Sequence, residues 1–155
     1  MTRNVKTYLL SAKDAYRDAR SCEDRIEQLQ SEAARITSSP DAVPSGGTRD
    51  PHRDAILAAL ADHLQELSEK QLLFVKRRAS VDAFIETLRA GDHRVILRLR
   101  YIQMLPWSKV LKKLPDYGMF YEDRNVYRLH ARALQEAQEK WDELGQTWGE
   151  ASAHE

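Results

Sequence analysis

Arg124, Arg128 and Arg132 recur at i, i+4 and i+8, and Asn125 follows the first of them. On a helix that spacing puts the three guanidinium groups in one row. Arginine can bond guanine through two parallel hydrogen bonds, and the asparagine carboxamide can do the same for adenine. Arg124, Asn125 and Arg128 belong to the first turns of such a helix and are the expected base readers. Arg132, with Lys109, Lys112 and Lys113 upstream, is expected to hold phosphates, which position a duplex without reading it. His130 lies among these arginines and is counted as a further phosphate or base contact. A row of arginines is also what an ordinary solvated helix face carries, so the stripe alone does not decide the matter.

Other chemistry finds little support in the sequence. The histidines, at 52, 63, 93, 130 and 154, show no HExxH pattern and no pair at ligand spacing. No metal, no cofactor and no enzymatic activity are expected. Cys22 is the only cysteine, which excludes an internal disulfide and a cysteine-rich zinc site. It lies on an apolar stripe and reads as a small core residue. The Gly46-Gly47 stretch lacks the GxxxxGK[ST] phosphate-loop pattern.

Charge is unevenly distributed. The chain of 155 residues carries 24 basic and 24 acidic side chains. Residues 91–133 hold nine basic against four acidic, whereas residues 134–155 hold Lys140 against six carboxylates. A basic module followed by an acidic tail is a pattern found in polyanion binders. No apolar run approaches a membrane span, and Met1-Thr2-Arg3-Asn4 has no signal-peptide character. A cytoplasmic protein with no membrane partner is expected.

Helices must position these groups. Gly and Pro number only 6 and 5, and charged residues reach 31%. Val5, Tyr8, Ala12, Ala15, Ala19, Cys22, Ile26, Leu29, Ala33 and Ile36 recur at alternating steps of 3 and 4, which predicts one long helix. A second stripe runs through Leu57, Leu60, Leu64, Leu67, Gln71, Phe74, Arg78, Val81, Ile85 and Leu88. Pro40, Pro44, Gly46, Gly47 and Pro51 crowd between them and predict a flexible loop over 38–51. The two helices fold back as an antiparallel coiled-coil hairpin over 1–90, with the small residues of the first opposite the large ones of the second. The stripes are equally suited to a homodimer or higher oligomer. A helix-turn-helix module is expected over 91–144, with short helices near 92–104 and 107–114, a turn at 115–118 and a last helix from Glu122 or Asp123 to about Leu144. Residues 145–155 form an acidic tail. Trp141 and Trp148 either cap the bundle or meet a partner.

Three segments carry a resemblance: Leu97-Arg98-Leu99-Arg100-Tyr101-Ile102, Leu105-Pro106-Trp107-Ser108-Lys109-Val110, and Val126-Tyr127-Arg128-Leu129-His130-Ala131-Arg132-Ala133-Leu134. They resemble region 4 of bacterial sigma factors, and more closely the small phage-encoded regulators of the ArpU and RinA type. That resemblance implies an all-α chain that binds double-stranded DNA and regulates transcription of late or structural phage genes, with host RNA polymerase as a further partner. It departs from the family in carrying Leu111 where a small residue is usual. It departs again in the aromatic insert Tyr117-Gly118-Met119-Phe120-Tyr121, which either packs over the module or adds a turn of helix. Two other readings stand beside it: a DNA-packaging protein like the small terminase subunits of phages, and an adaptor that binds RNA polymerase without DNA.

Overall fold

The computed structural model describes residues 4–38 and 50–144, which form helices and short connections. The helices are α1 (Val5–Ser38), α2 (Pro51–Glu86), α3 (Gly91–Leu97), α4 (Trp107–Lys113) and α5 (Asp123–Leu144). A π-helical stretch, Arg98–Ile102, continues α3, and a 3-10 turn, Leu114–Tyr117, follows α4. No described helix is long and apolar enough to cross a membrane. Most of the loop expected over 38–51, the tail 145–155 and Trp148 lie outside the described residues.

Local chemistry sets the helix starts. The Asn4 side chain accepts a hydrogen bond from the Lys6 amide at 2.9 Å, and Asp50 accepts one from the His52 amide at 3.0 Å. Each is an N-cap contact, and Pro51 takes the first helical position, where its missing amide costs nothing.

The chain divides into two compact units, and α1 and α2 contribute to both. One unit is Ala15–Phe74. There the two helices run antiparallel: Tyr16 packs on Phe74 with ring centroids 5.5 Å apart, Gln71 bonds Glu23, and Arg25 faces Glu66. Ala15, Ala19, Cys22 and Ile26 are buried, as the first stripe predicts.

The second stripe needs correction. Ile56 is buried and His63, Leu67, Lys70 and Phe74 are half-buried, while Leu57 is 50% exposed, Leu64 is 48% exposed and Gln71 is exposed. The inward face therefore passes through positions one residue earlier than expected at alternate steps. Arg78, placed on the seam by the stripe, is exposed as well. The inward face keeps Leu60, Leu67 and Phe74 of that stripe and takes Ile56, His63 and Lys70 in place of Leu57, Leu64 and Gln71, a turn of about 100° at those steps that apolar periodicity does not signal.

Among the described residues the other unit takes 4–14 and 75–144, whereas the sequence places a boundary at 90/91. Val5, Leu9 and Ala12 of α1 and Val81, Phe84, Ile85 and Leu88 of α2 share one core with α3, α4 and α5. Trp141 of α5 closes that core, with centroids 4.6 Å from Tyr8 and 5.6 Å from Phe84. Residues 136–144 thus belong to the last helix, which ends at Leu144 as expected. Within it Glu136 accepts hydrogen bonds from the amides of Arg89 at 2.7 Å and Ala90 at 3.3 Å, and pairs with the His93 ring. The N-cap position of α3 is Ala90, which has no side-chain acceptor, and a carboxylate from α5 supplies one.

The insert resolves into a distinct turn. Gly118 adopts φ 72°, where any other L-residue would be strained. The reversal sends Met119 into the core at 5% exposure and leaves Phe120 81% exposed. The Tyr121 hydroxyl donates to Asp92 at the start of α3 at 2.5 Å.

Candidate nucleic-acid interface

α5 positions the residues that the sequence singled out. Val126, Leu129, Ala133, Ala137 and Trp141 are buried, so the helix has one fixed inner face. Arg124, Arg128 and Arg132, with Asn125, are exposed on the remainder. No carboxylate of the described residues makes an ion pair with any of the three arginines. The insert turns into the core and toward Asp92, and the arginine row stays open.

The arginines on α3 and its continuation are differently placed. Arg94 donates to the carbonyls of Leu88 at 2.6 Å and Arg89 at 2.9 Å, both in the connection between α2 and α3. Arg98 bonds Asp82 at 2.8 Å and also Glu86. Those two carboxylates, Asp82 foremost, raise its already high pKa. Arg100 donates to the Leu105 carbonyl at 2.8 Å and lies over the Trp107 ring at 4.5 Å from its centroid. All three hold the fold together.

His130 departs from the expected contact set. It is half-buried, its Nε2 lies 3.0 Å from the Tyr101 hydroxyl, and its ring packs on Tyr101 and Trp107. Burial, with Arg100 and Lys6 nearby, lowers its pKa to about 4. At neutral pH it is uncharged and offers no cation to a phosphate. The helical spacing contained this signal: residue 130 lies beside Val126, Leu129 and Ala133 and about 200° from Arg128.

On α4, Lys109 and Lys112 are exposed, while Lys113 donates to the Gln103 side chain at 2.9 Å. With Leu105 and Asp116 the three lysines line a concavity of ≈ 290 Å³. Exposed aromatics surround the turn region in sequence: Tyr117, Phe120, Tyr121 and Tyr127. Tyr127 also meets Trp107 edge-on at 5.0 Å. Sequence reasoning missed Glu136 and Met119. Glu136 sat in an acidic run, and Met119 belongs to no periodic stripe.

Neither a family model, nor a curated protein, nor a solved structure matches this chain.

Proposed function

We propose that the chain is a DNA-binding transcriptional regulator that docks the outer face of α5 on duplex DNA. The observation that carries this reading is the contrast among the module's arginines: Arg94, Arg98 and Arg100 are engaged by the protein, whereas Arg124, Arg128 and Arg132 are exposed with no described carboxylate paired to them. Desolvated guanidinium groups need acceptors, and a row of solvated ones is available for phosphates and base edges. In this reading Arg124, Asn125 and Arg128 read bases, and Arg132, Lys109, Lys112 and Lys113 hold phosphates. His130 is left out because its ring is engaged inside the module. The likeness of segments 97–102, 105–110 and 126–134 to sigma region 4 and to ArpU- and RinA-type regulators supports the same reading. It further implies a phage-encoded protein acting in the host cytoplasm on late or structural genes.

The test is selection of bound duplexes from a random-sequence pool by the full chain, followed by sequencing. A sequence-specific regulator enriches a defined motif, and Arg128→Ala flattens one position of it by about 1–3 kcal/mol. A pool that stays unenriched, with no retained duplex at low salt, overturns the proposal.

A second reading, an adaptor for RNA polymerase, is favoured by Phe120, which is 81% exposed beside Tyr121. Aromatic side chains displayed in this way are common anchors of protein interfaces. Loss of polymerase capture in Phe120→Ser, with DNA binding intact, would assign the insert to that partner.

A further inference from the structure

The hairpin unit contains a cluster that the DNA-binding reading does not use. Cys22 of α1 is fully buried, and opposite it α2 places His63 and Glu66, both half-buried. One ligand atom from each, Sγ, an imidazole nitrogen and a carboxylate oxygen, lies within 4.8 Å of the other two. The thiol contacts the His63 carbonyl at 3.4 Å, and His63 Nδ1 lies 3.3 Å from Glu66 Oε2. From these residues we infer a binding site for a divalent transition metal of the zinc class, ligated by Cys22, His63 and Glu66 with water in the fourth position.

Several observations support this beyond proximity. The ligand set is chemically apt, since thiolate, imidazole and carboxylate are the donors that zinc takes. The spacing is close to what is needed. At metal–ligand bonds of about 2.0–2.3 Å, tetrahedral donor atoms lie roughly 3.3–3.7 Å apart. Contraction by about 1 Å, within reach of side-chain rotation, would complete the site. The ligands come from both helices, so the ion would tie α1 to α2.

The carboxylate is also held in a useful orientation. Lys70 at 3.0 Å and Arg25 at 3.9 Å both approach Oε1 of Glu66, which leaves Oε2 toward His63. Partners of this kind orient ligands in metal sites. Finally, α2 turns His63 and Glu66 toward α1 while leaving Leu57 and Leu64 exposed. Burial of apolar surface alone would favour the phase with those leucines inside.

Binding would release the Cys22 thiol proton, since the thiolate is the ligand. One thiolate and one carboxylate offset the charge of the dication. His63 and Glu66, both partly exposed, form the outer edge through which an ion would enter.

The test uses the full chain stripped with chelator, then equilibrated with Zn²⁺ or Co²⁺ and dialysed. The expected result is about one zinc retained per chain, a raised melting temperature with Zn²⁺, and a thiolate-to-cobalt charge-transfer band with Co²⁺. Cys22→Ser should abolish the band. His63→Gln and Glu66→Gln should each weaken retention more than about tenfold. Glu66→Gln alters a partly exposed side chain and serves as the control that folds. Helicity measured on every variant separates lost binding from lost structure. A folded wild-type chain that shows no cobalt–thiolate band overturns the site. So does zinc retention that is equal in wild type and Cys22→Ser, which would trace the metal to the other histidines.

Discussion

The arginines of α3 and its π-helical continuation and the arginines of α5 belong to one positive run in the sequence, yet they occupy different environments. Arg94, Arg98 and Arg100 meet carbonyls, carboxylates and an indole ring. Arg124, Arg128 and Arg132 are exposed without an ion pair to a described residue. The net charge of a window therefore overstates the charge available to a partner. About a third of the basic residues between 91 and 133 hold the module together, while the row on α5 and Lys109 and Lys112 of α4 stay exposed. The comparison also separates two kinds of mutational effect: changes on the inner set should alter stability, and changes on the outer set should alter binding.

The largest expected loss of stability comes from the group that joins α5 to α3. Glu136→Ala removes the acceptor for two amides at the start of α3 and the partner of His93. Its cost should be about 1–3 kcal/mol, read by denaturant unfolding. Although burial opposes ionisation, hydrogen bonds from His93 and the Arg89 and Ala90 amides hold the Glu136 pKa below its ordinary value of 4.5. Its contribution is therefore complete above that value and is lost as pH falls through the lower folded one. A Glu136→Ala protein as stable as wild type would show that α3 needs no such cap.

Next in size is a pH effect. His130 titrates near 4 in the folded chain against 6.5 when unperturbed, so the unfolded chain binds more protons between those values. Stability should fall as pH drops from about 6.5 to about 4. The half-exposed position reduces the full linkage of about 3 kcal/mol to about 1–2 kcal/mol. His130→Gln keeps a polar partner for Tyr101 and cannot titrate in this range. It should flatten that part of the pH–stability curve, and an unchanged curve would remove His130 as the cause.

Smaller again is Arg98→Gln. Its partners Asp82 and Glu86 are half or more exposed, so the loss should be about 1 kcal/mol. Duplex affinity of the folded variant should match wild type. A large drop in affinity at unchanged stability would place Arg98 on the interface and break the division between the two sets.

How far these positions were legible depended on how much of the signal was periodic. The seam of α1 was readable because Ala12, Ala15, Ala19, Cys22 and Ile26 lie between charged residues and allow one phase only. On α2, Leu57, Leu60, Leu64 and Leu67 mark a single apolar phase, yet the structure turns Leu57 and Leu64 outward and His63 and Lys70 toward α1, which no hydrophobic pattern announces. The limits of α4 and α5 followed from Pro106 and Asp123 and fell within a few residues of expectation, whereas α2 ends at Glu86 and Gly91 opens α3. The inner face of α5 was equally plain, and it already placed His130 opposite Arg128. Contacts between distant segments had no local signature. Glu136 capping α3, Trp141 closing a core with Tyr8 and Phe84, and Met119 dropping in behind Gly118 depend on tertiary packing.

The smallest expected effect on stability accompanies the largest expected effect on binding. Arg124→Ala, Arg128→Ala and Arg132→Ala combined should leave unfolding within about 0.5 kcal/mol per site, as for exposed positions without partners. The decisive measurement is the affinity of wild type and this triple variant for the selected duplex, by fluorescence anisotropy over a series of salt concentrations. The predicted result is a loss of at least about 100-fold for the variant, with a shallower dependence of affinity on salt. A folded triple variant that binds the duplex with wild-type affinity and wild-type salt dependence would contradict the assignment of α5 as the DNA-reading helix.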